Sequence, residues 1–365
     1  MPLDPFFEER LRVHRKHLID KARGAMRARL TTLWPLGRFA APAAADVAPA
    51  ASAAVRGGGD RPSLGPNARA RARKRRAALA WDRSELAAVG TPGPDGRTTE
   101  HRVDVPGRPA VRIRVYHPAV PGSAAVPGVL AFFGGAFRIG GIDYPTTDAS
   151  FRRRAVDAGV AIAAVDYALA PEQQYPAQVE QAYAALQWLL AEAGELGIDP
   201  GRLGVLGTSA GGSIAAALTL MNRDRGGPAL RLQVLEVPVV DLTGEHIDLG
   251  VTRALGIPRF IAVRELRSVA RTYLPSKDAA REPYASPLRA ASHAELPPAV
   301  ILTAEFDPLR GDGEAYAAAL RRAGVDASAV RYLGVTHDTS IFTAVLPAAR
   351  RWHDDVVAAL RRLHA

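Results

Sequence analysis

Leu203-Gly204-Val205-Leu206 runs into Gly207-Thr208-Ser209-Ala210-Gly211-Gly212 and then into Ile214-Ala215-Ala216-Ala217-Leu218. The order is apolar strand, sharp turn with a serine at its apex, helix. In so tight a turn the serine takes a strained backbone conformation. The residues two before and two after it must be nearly free of side chain, because strand and helix pack closely there. Gly207-x-Ser209-x-Gly211 meets that demand. The turn also sets the N–H groups of Ser209 and Ala210 at the start of a helix, where partial positive charge favours a developing oxyanion. A glycine–serine turn that merely joins two elements has the same spacing, so the reading depends on what else the chain supplies.

Serine alone is a weak nucleophile and needs a base, a group that orients the base, and an oxyanion hole. In a strand-turn-helix architecture of this kind the chain order is Ser, then Asp or Glu, then His. Ala299-Val300-Ile301-Leu302-Thr303-Ala304 reads as a buried strand, with Asp307 in the Glu305-Phe306-Asp307-Pro308-Leu309 segment at its C-terminal end. Ala329-Val330-Arg331-Tyr332-Leu333 reads as the next strand and delivers His337 on the loop after it. Of nine histidines, His14, His17, His101, His117, His246 and His293 precede the acid, and His353 and His364 fall in a C-terminal helix or tail. That leaves His337. Loop aspartates are common, and Asp241, Asp312 and Glu314 are rivals; Asp307 is preferred because it directly follows the penultimate strand. Upstream, Val129-Leu130-Ala131-Phe132-Phe133 reads as a buried strand followed by the glycine-rich loop Gly134-Gly135-Ala136-Phe137-Arg138-Ile139-Gly140-Gly141. The N–H groups of Gly135 and Ala136, with Gly134 supporting the turn, can converge with that of Ala210 on one oxygen. A phosphate-cradling loop would instead carry a Lys-Ser or Lys-Thr pair or G-x-G-x-x-G spacing, and this one has neither.

Together these motifs resemble the bacterial esterases and lipases related to mammalian hormone-sensitive lipase, within the α/β-hydrolases. Gly207-Thr208-Ser209-Ala210-Gly211-Gly212 is similar to the elbow of the family's GTSAGG branch. Asp166-Tyr167-Ala168-Leu169-Ala170-Pro171-Glu172 is similar to its D-Y-R-L-A-P-E block, with Ala168 where arginine is usual. Pro176-Ala177, Tyr183-Ala184-Ala185-Leu186-Gln187-Trp188-Leu189, Ala285-Ser286-Pro287-Leu288 and Glu305-Phe306-Asp307-Pro308-Leu309-Arg310 extend the likeness over residues 82 to 363. The resemblance implies an α/β fold with a mostly parallel central sheet, helices on both faces and a helical cap. It also implies Ser209 as nucleophile, Asp307 as acid, His337 as base, and Gly134, Gly135 and Ala136 with Ala210 as the oxyanion hole.

Two departures stand out. The family's oxyanion loop begins His-Gly-Gly-Gly, whereas here the residues are Phe133-Gly134-Gly135-Ala136. Backbone amides survive that exchange, but phenylalanine makes none of the imidazole's hydrogen bonds. The other is His337-Asp338-Thr339, where His-Gly-Phe is commonest; a carboxylate beside the base raises its pKa.

With 365 residues, 48% of them hydrophobic, the chain can bury a full core, as expected for one large α/β domain with an appendage. Cysteine is absent, which excludes disulfides, thiol catalysis and thiolate metal sites. No apolar run reaches about 18 residues, and the N-terminus lacks the apolar core of a secretory signal; a cytoplasmic location is expected. Residues 1–79 carry 17 Lys plus Arg against 6 Asp plus Glu, and the remainder is close to neutral. The expected division is a basic helical segment over residues 1–39, an Ala/Pro/Gly-rich linker over residues 40–66, and a hydrolase domain over residues 67–365 with a cap insertion at about 241–283. Leu11 to Leu33 has the pattern of a basic amphipathic helix. Arg69 to Arg76 opens another, with Ala77-Ala78-Leu79-Ala80-Trp81 as an apolar anchor. These helices are expected to cap the site, as in the resembled family, or to touch anionic lipid; nucleic acid is the less favoured partner. Pairing into a homodimer is a family habit.

The expected activity is hydrolysis of short- to medium-chain acyl esters through an acyl-enzyme, with no metal or organic cofactor. Phe133 and Ala136 motivate one alternative, a catalytically weak or inactive binding protein on a hydrolase scaffold. Amide hydrolysis by the same three side chains is another.

Overall fold

Strands that are apolar at every position need cover on both faces, and the centre of this chain consists of such strands. The computed structural model describes residues 1–13, 66–118 and 125–365. They fall into two units, one of residues 1–7 and 75–365, the other of residues 8–74. In the smaller unit the described residues are the end of a helix over residues 5–13 and the first turns of helix α1 (Pro66–Val89). The helix expected over Leu11 to Leu33 and the linker expected over residues 40–66 lie almost wholly outside the described residues.

The larger unit is built on one eight-stranded sheet. Its strands are β1 (Thr98–Val105), β2 (Arg108–Tyr116), β3 (Val126–Phe132), β4 (Ala161–Asp166), β5 (Ile198–Thr208), β6 (Leu232–Glu236), β7 (Ala299–Phe306) and β8 (Ala327–Thr336). Their spatial order is β1-β2-β4-β3-β5-β6-β7-β8. Strand β2 runs antiparallel to both β1 and β4, and every other pairing is parallel. The sheet's antiparallel end keeps the period-two pattern legible in sequence: Val111, Ile113 and Val115 are buried, while Arg112 and Arg114 alternate with them and reach Asp143 on the other face.

The parallel strands are buried almost throughout, and helices cover both faces. They are α2 (Pro145–Ala158), α3 (Ala177–Leu196), α4 (Ala210–Asp224), α7 (Arg310–Arg322) and α8 (Pro347–Arg361). Helix α3 packs on α4, and α2 packs on α8. Helix α4 is buried from Ala210 to Asn222, which its run of Gly, Ala and Ser allows by letting backbones approach closely. Between β6 and β7 the chain leaves the sheet through α5 (Val251–Ala254) and α6 (Arg259–Tyr273).

Strand β8 is longer than its apolar stretch suggests. As the edge strand it is exposed at Ser328 to Arg331, so it lacks the continuous apolar signal of its neighbours. Its extension to Thr336 sets His337 directly at its end.

Helix α1 joins the fold in an unexpected way. Trp81, read as an apolar anchor, is 48% exposed, whereas Asp82 and Glu85 are buried. The α2 N-terminus has no side-chain cap from its own chain neighbourhood. Asp82 supplies one, its carboxylate accepting the Thr146 N–H at 2.9 Å and the Thr146 hydroxyl as well. An acceptor is what the orphan amides of a helix start require. Replacing Asp82 by Ala should therefore lower stability by about 2 kcal/mol, the scale of hydrogen bonds to a charged group, as read by urea denaturation; an unchanged midpoint would contradict this role.

Candidate active site

Strand β5 ends at Thr208 and α4 begins at Ala210, so Ser209 makes the turn between them, at φ 56° and ψ −116°. The structure bears out the steric demand of the turn. A Cβ on Gly207 would stand 2.2 Å from the Gly211 oxygen, and one on Gly211 would stand 2.2 Å from the Phe132 oxygen. The Ser209 N–H is engaged, donating to the Glu236 oxygen at 2.8 Å. Of the two elbow amides expected to favour an oxyanion, this leaves that of Ala210, at a helix position with no intrahelical acceptor.

Strand β7 carries Asp307 just past its end, and β8 does the same for His337. His337 Nδ1 lies 2.7 Å from Asp307 Oδ2, and its Nε2 lies 2.9 Å from Ser209 Oγ. An ionised carboxylate can only accept, so Nδ1–H donates to Asp307 and the Nε2 lone pair receives the Ser209 hydroxyl proton. Asp307 is 1% exposed, and its other oxygen accepts the Leu309 N–H at 2.9 Å. The rival groups are occupied elsewhere. Asp241 pairs with Arg289, Asp312 accepts the Val240 and Asp241 N–H groups, and His293 bonds the Pro287 oxygen. Asp241, Glu245 and His246 come within ligand distance of one another, but Arg289 ion-pairs with both carboxylates.

The loop after β3 completes the constellation. Gly134, Gly135 and Ala136 border the same cavity as Ser209 and His337. Ala136 and Phe137 adopt positive φ, 53° and 60°, at a cost of order 1–2 kcal/mol each for a residue with a Cβ. Packing holds them there. Phe137 stacks on Tyr273 with ring centroids 3.7 Å apart, and the Gly135 oxygen accepts the N–H groups of Arg138 and Ile139. Phe133, standing where the resembled family has histidine, stacks on Tyr167 at 4.2 Å, and the Tyr167 hydroxyl donates to the Phe133 oxygen at 2.8 Å. A ring stack and a phenol hydrogen bond thus hold Phe133 in place.

The cavity measures about 360 Å³ and is bounded also by Trp81, Asp82, Tyr144, Thr208 and Ile341. Sequence reading missed what lies behind it. Glu236, at 0% exposure, accepts from both terminal nitrogens of Arg154 at 2.8 Å, from the Thr208 hydroxyl at 2.9 Å and from Trp352 Nε1 at 2.6 Å. Burial pushes its carboxyl pKa up, but the Arg154 charge and these hydrogen bonds outweigh it and hold the group below the usual range. A glutamate closing a short, fully buried strand was the available signal for it. Arg154, in the run Arg152-Arg153-Arg154, had none.

Comparison with known proteins identifies the fold family. Residues 129–341 match the family model described as alpha/beta hydrolase fold. Carboxylesterase NlhH of Mycobacterium tuberculosis is 37% identical, over 78% of this chain and 89% of its own. The chain belongs to the hormone-sensitive-lipase-like α/β hydrolases. An arylesterase of Saccharolobus solfataricus is 34% identical over 70% of the chain and 81% of its own length. The crystal structure of EstE1, a thermostable carboxylesterase from a metagenomic library, superposes with a TM-score of 0.73 at 36% identity, covering 80% of this chain and 97% of that one.

In this α/β hydrolase the imidazole is strongly tuned. Burial lowers the His337 pKa, but the Asp307 charge and hydrogen bond, with the Asp338 charge added, overcome it and raise the value from 6.5 to about 9. A raised pKa favours the protonated ring, and a protonated ring cannot accept the serine proton. The acid limb of kcat/KM should therefore lie above pH 6.5, with activity lost as pH falls through it. Asp338→Asn should move that limb downward by removing one of the charges responsible. A pH–rate profile checks both, and a wild-type limb at or below 6.5 would contradict the upward shift of His337.

Proposed function

We propose that this chain is a serine carboxylesterase that hydrolyses short- to medium-chain acyl esters through an acyl-enzyme intermediate. The observation that carries the reading is the unbroken line of hydrogen bonds from Asp307 through His337 to Ser209 at a cavity bordered by the Gly134–Ala136 loop. In the proposed mechanism Ser209 Oγ attacks the ester carbonyl while His337 Nε2 takes its proton. Asp307 keeps the ring in the required tautomer and stabilises the imidazolium. The oxyanion of the tetrahedral intermediate is received by the N–H groups of Gly135, Ala136 and Ala210; no acceptor among the described residues engages these amides. Each such donor is typically worth about 3 kcal/mol of transition-state stabilisation. His337 then returns the proton to the departing alcohol, and water deacylates the serine through the same base. All of this runs on side chains and backbone amides of the chain itself.

A cavity of about 360 Å³ accommodates short and medium acyl groups, which supports the chain-length part of the proposal. Exposed Val330 and Leu333 on the edge strand β8 further support pairing of two copies along that edge. No helix among the described residues is long and apolar enough to cross a membrane. Ala78, Trp81 and Asp82 of α1 border the cavity, which supports a capping role for that helix in preference to contact with anionic lipid.

Purified protein should hydrolyse p-nitrophenyl butyrate, and Ser209→Ala should lower kcat by about 10⁴-fold or more. Along the p-nitrophenyl ester series, kcat/KM should fall at least roughly tenfold from butyrate to palmitate. Turnover that survives in Ser209→Ala would remove the serine mechanism, and a preference for palmitate would remove the chain-length assignment.

A further inference from the structure

We propose that Glu236, clamped by Arg154 and Trp352, is a positioning residue that sets Ser209 against His337. Five observations converge on it. Its backbone oxygen takes the Ser209 N–H at 2.8 Å, and its carboxylate takes the Thr208 hydroxyl at 2.9 Å, so one residue grips two consecutive members of the strained turn. Arg154 binds the carboxylate with both terminal nitrogens at 2.8 Å, a paired geometry that fixes orientation as well as distance. Trp352 Nε1 supplies a fourth donor at 2.6 Å. The Trp352 ring lies 4.6 Å from that of Tyr332 on β8, the strand that ends next to His337. Arg154 and Thr208 also border the cavity that holds Ser209.

Stability gives little reason for such an assembly. Two charges are taken out of water at 4% and 1% side-chain exposure, and Arg154 Nε is left buried with no acceptor. An apolar pair of the same shape holds helix to sheet as well or better. The ion pair does supply direction. Apolar packing tolerates small rotations, whereas four donors on one carboxylate define where its strand end lies, and with it the φ 56° serine. The line Arg154–Glu236–Trp352–Tyr332 joins the element that carries the nucleophile to the strand that delivers the base. Glu236, Trp352 and Tyr332 do not border the cavity and the Arg154 side chain is only 4% exposed, so the effect belongs in kcat.

The inference rests on the esterase reading, and wild-type turnover of p-nitrophenyl butyrate with a silent Ser209→Ala secures that reading independently. The test is the double variant Arg154→Met/Glu236→Leu, which replaces the ion pair by apolar side chains. The expected result is a Tm at or above wild type, a KM within about twofold, and a kcat lower by about 10- to 100-fold, the scale of a sub-ångström to ångström misplacement. Thr208→Val, which keeps the ion pair, should lose kcat in the same direction, and Thr208→Ser should restore it. Wild-type kcat in the double variant overturns the proposal, as does a kcat loss that only follows a fall in Tm. Should the double variant not fold, the Thr208 pair decides: unchanged kcat in Thr208→Val overturns the proposal, and a loss rescued by serine supports it.

Discussion

A serine held at φ 56° between a strand and a helix is the constraint around which this molecule is arranged. The conformation is unfavourable for any residue with a Cβ, and it persists only because neighbours over-determine it. Gly207 and Gly211 let strand and helix close to a separation at which added methyl groups would overlap backbone oxygens. Glu236 then holds the turn from below by backbone and side chain. The strain puts the hydroxyl clear of the sheet, where an imidazole arriving from the far end of the chain can reach it.

The chain handles buried charge in two distinct ways. At Asp307 a carboxylate is buried so that it can act on a histidine, and the pairing makes the ring more basic than it would be in water. At Glu236 a carboxylate is buried and saturated with donors, leaving nothing for a reactant. The first arrangement is electrostatically poised and the second is quiescent. Their proximity to the same serine gives the turn a reactive upper surface and a fixed lower one.

Much of this was readable in the residues because it is local. The need for glycine at 207 follows from a clash between atoms four residues apart, and the apolar run of β3 follows from burial on both faces. The order of Ser209, Asp307 and His337 followed from where strands end. Less legible were contacts whose partners are remote and chemically ordinary. Arg154 looks like any arginine of a basic helix until Glu236 is placed 82 residues away beside it. The same holds for Asp82, which nothing in the neighbouring sequence marks as the acceptor for Thr146. Trp81 failed in the opposite sense, since an aromatic after an alanine run reads as core yet borders an open cavity.

One consequence follows from helix α2. It is 14 residues long, with its first turn held by Asp82 of α1 and Arg154 in its last turns holding Glu236 under the nucleophile. A single stiff rod therefore runs between the N-terminal helix and the underside of the reactive serine. A displacement of α1 at Asp82 has a short mechanical path to the nucleophile, along a helix that also forms one wall of the substrate cavity.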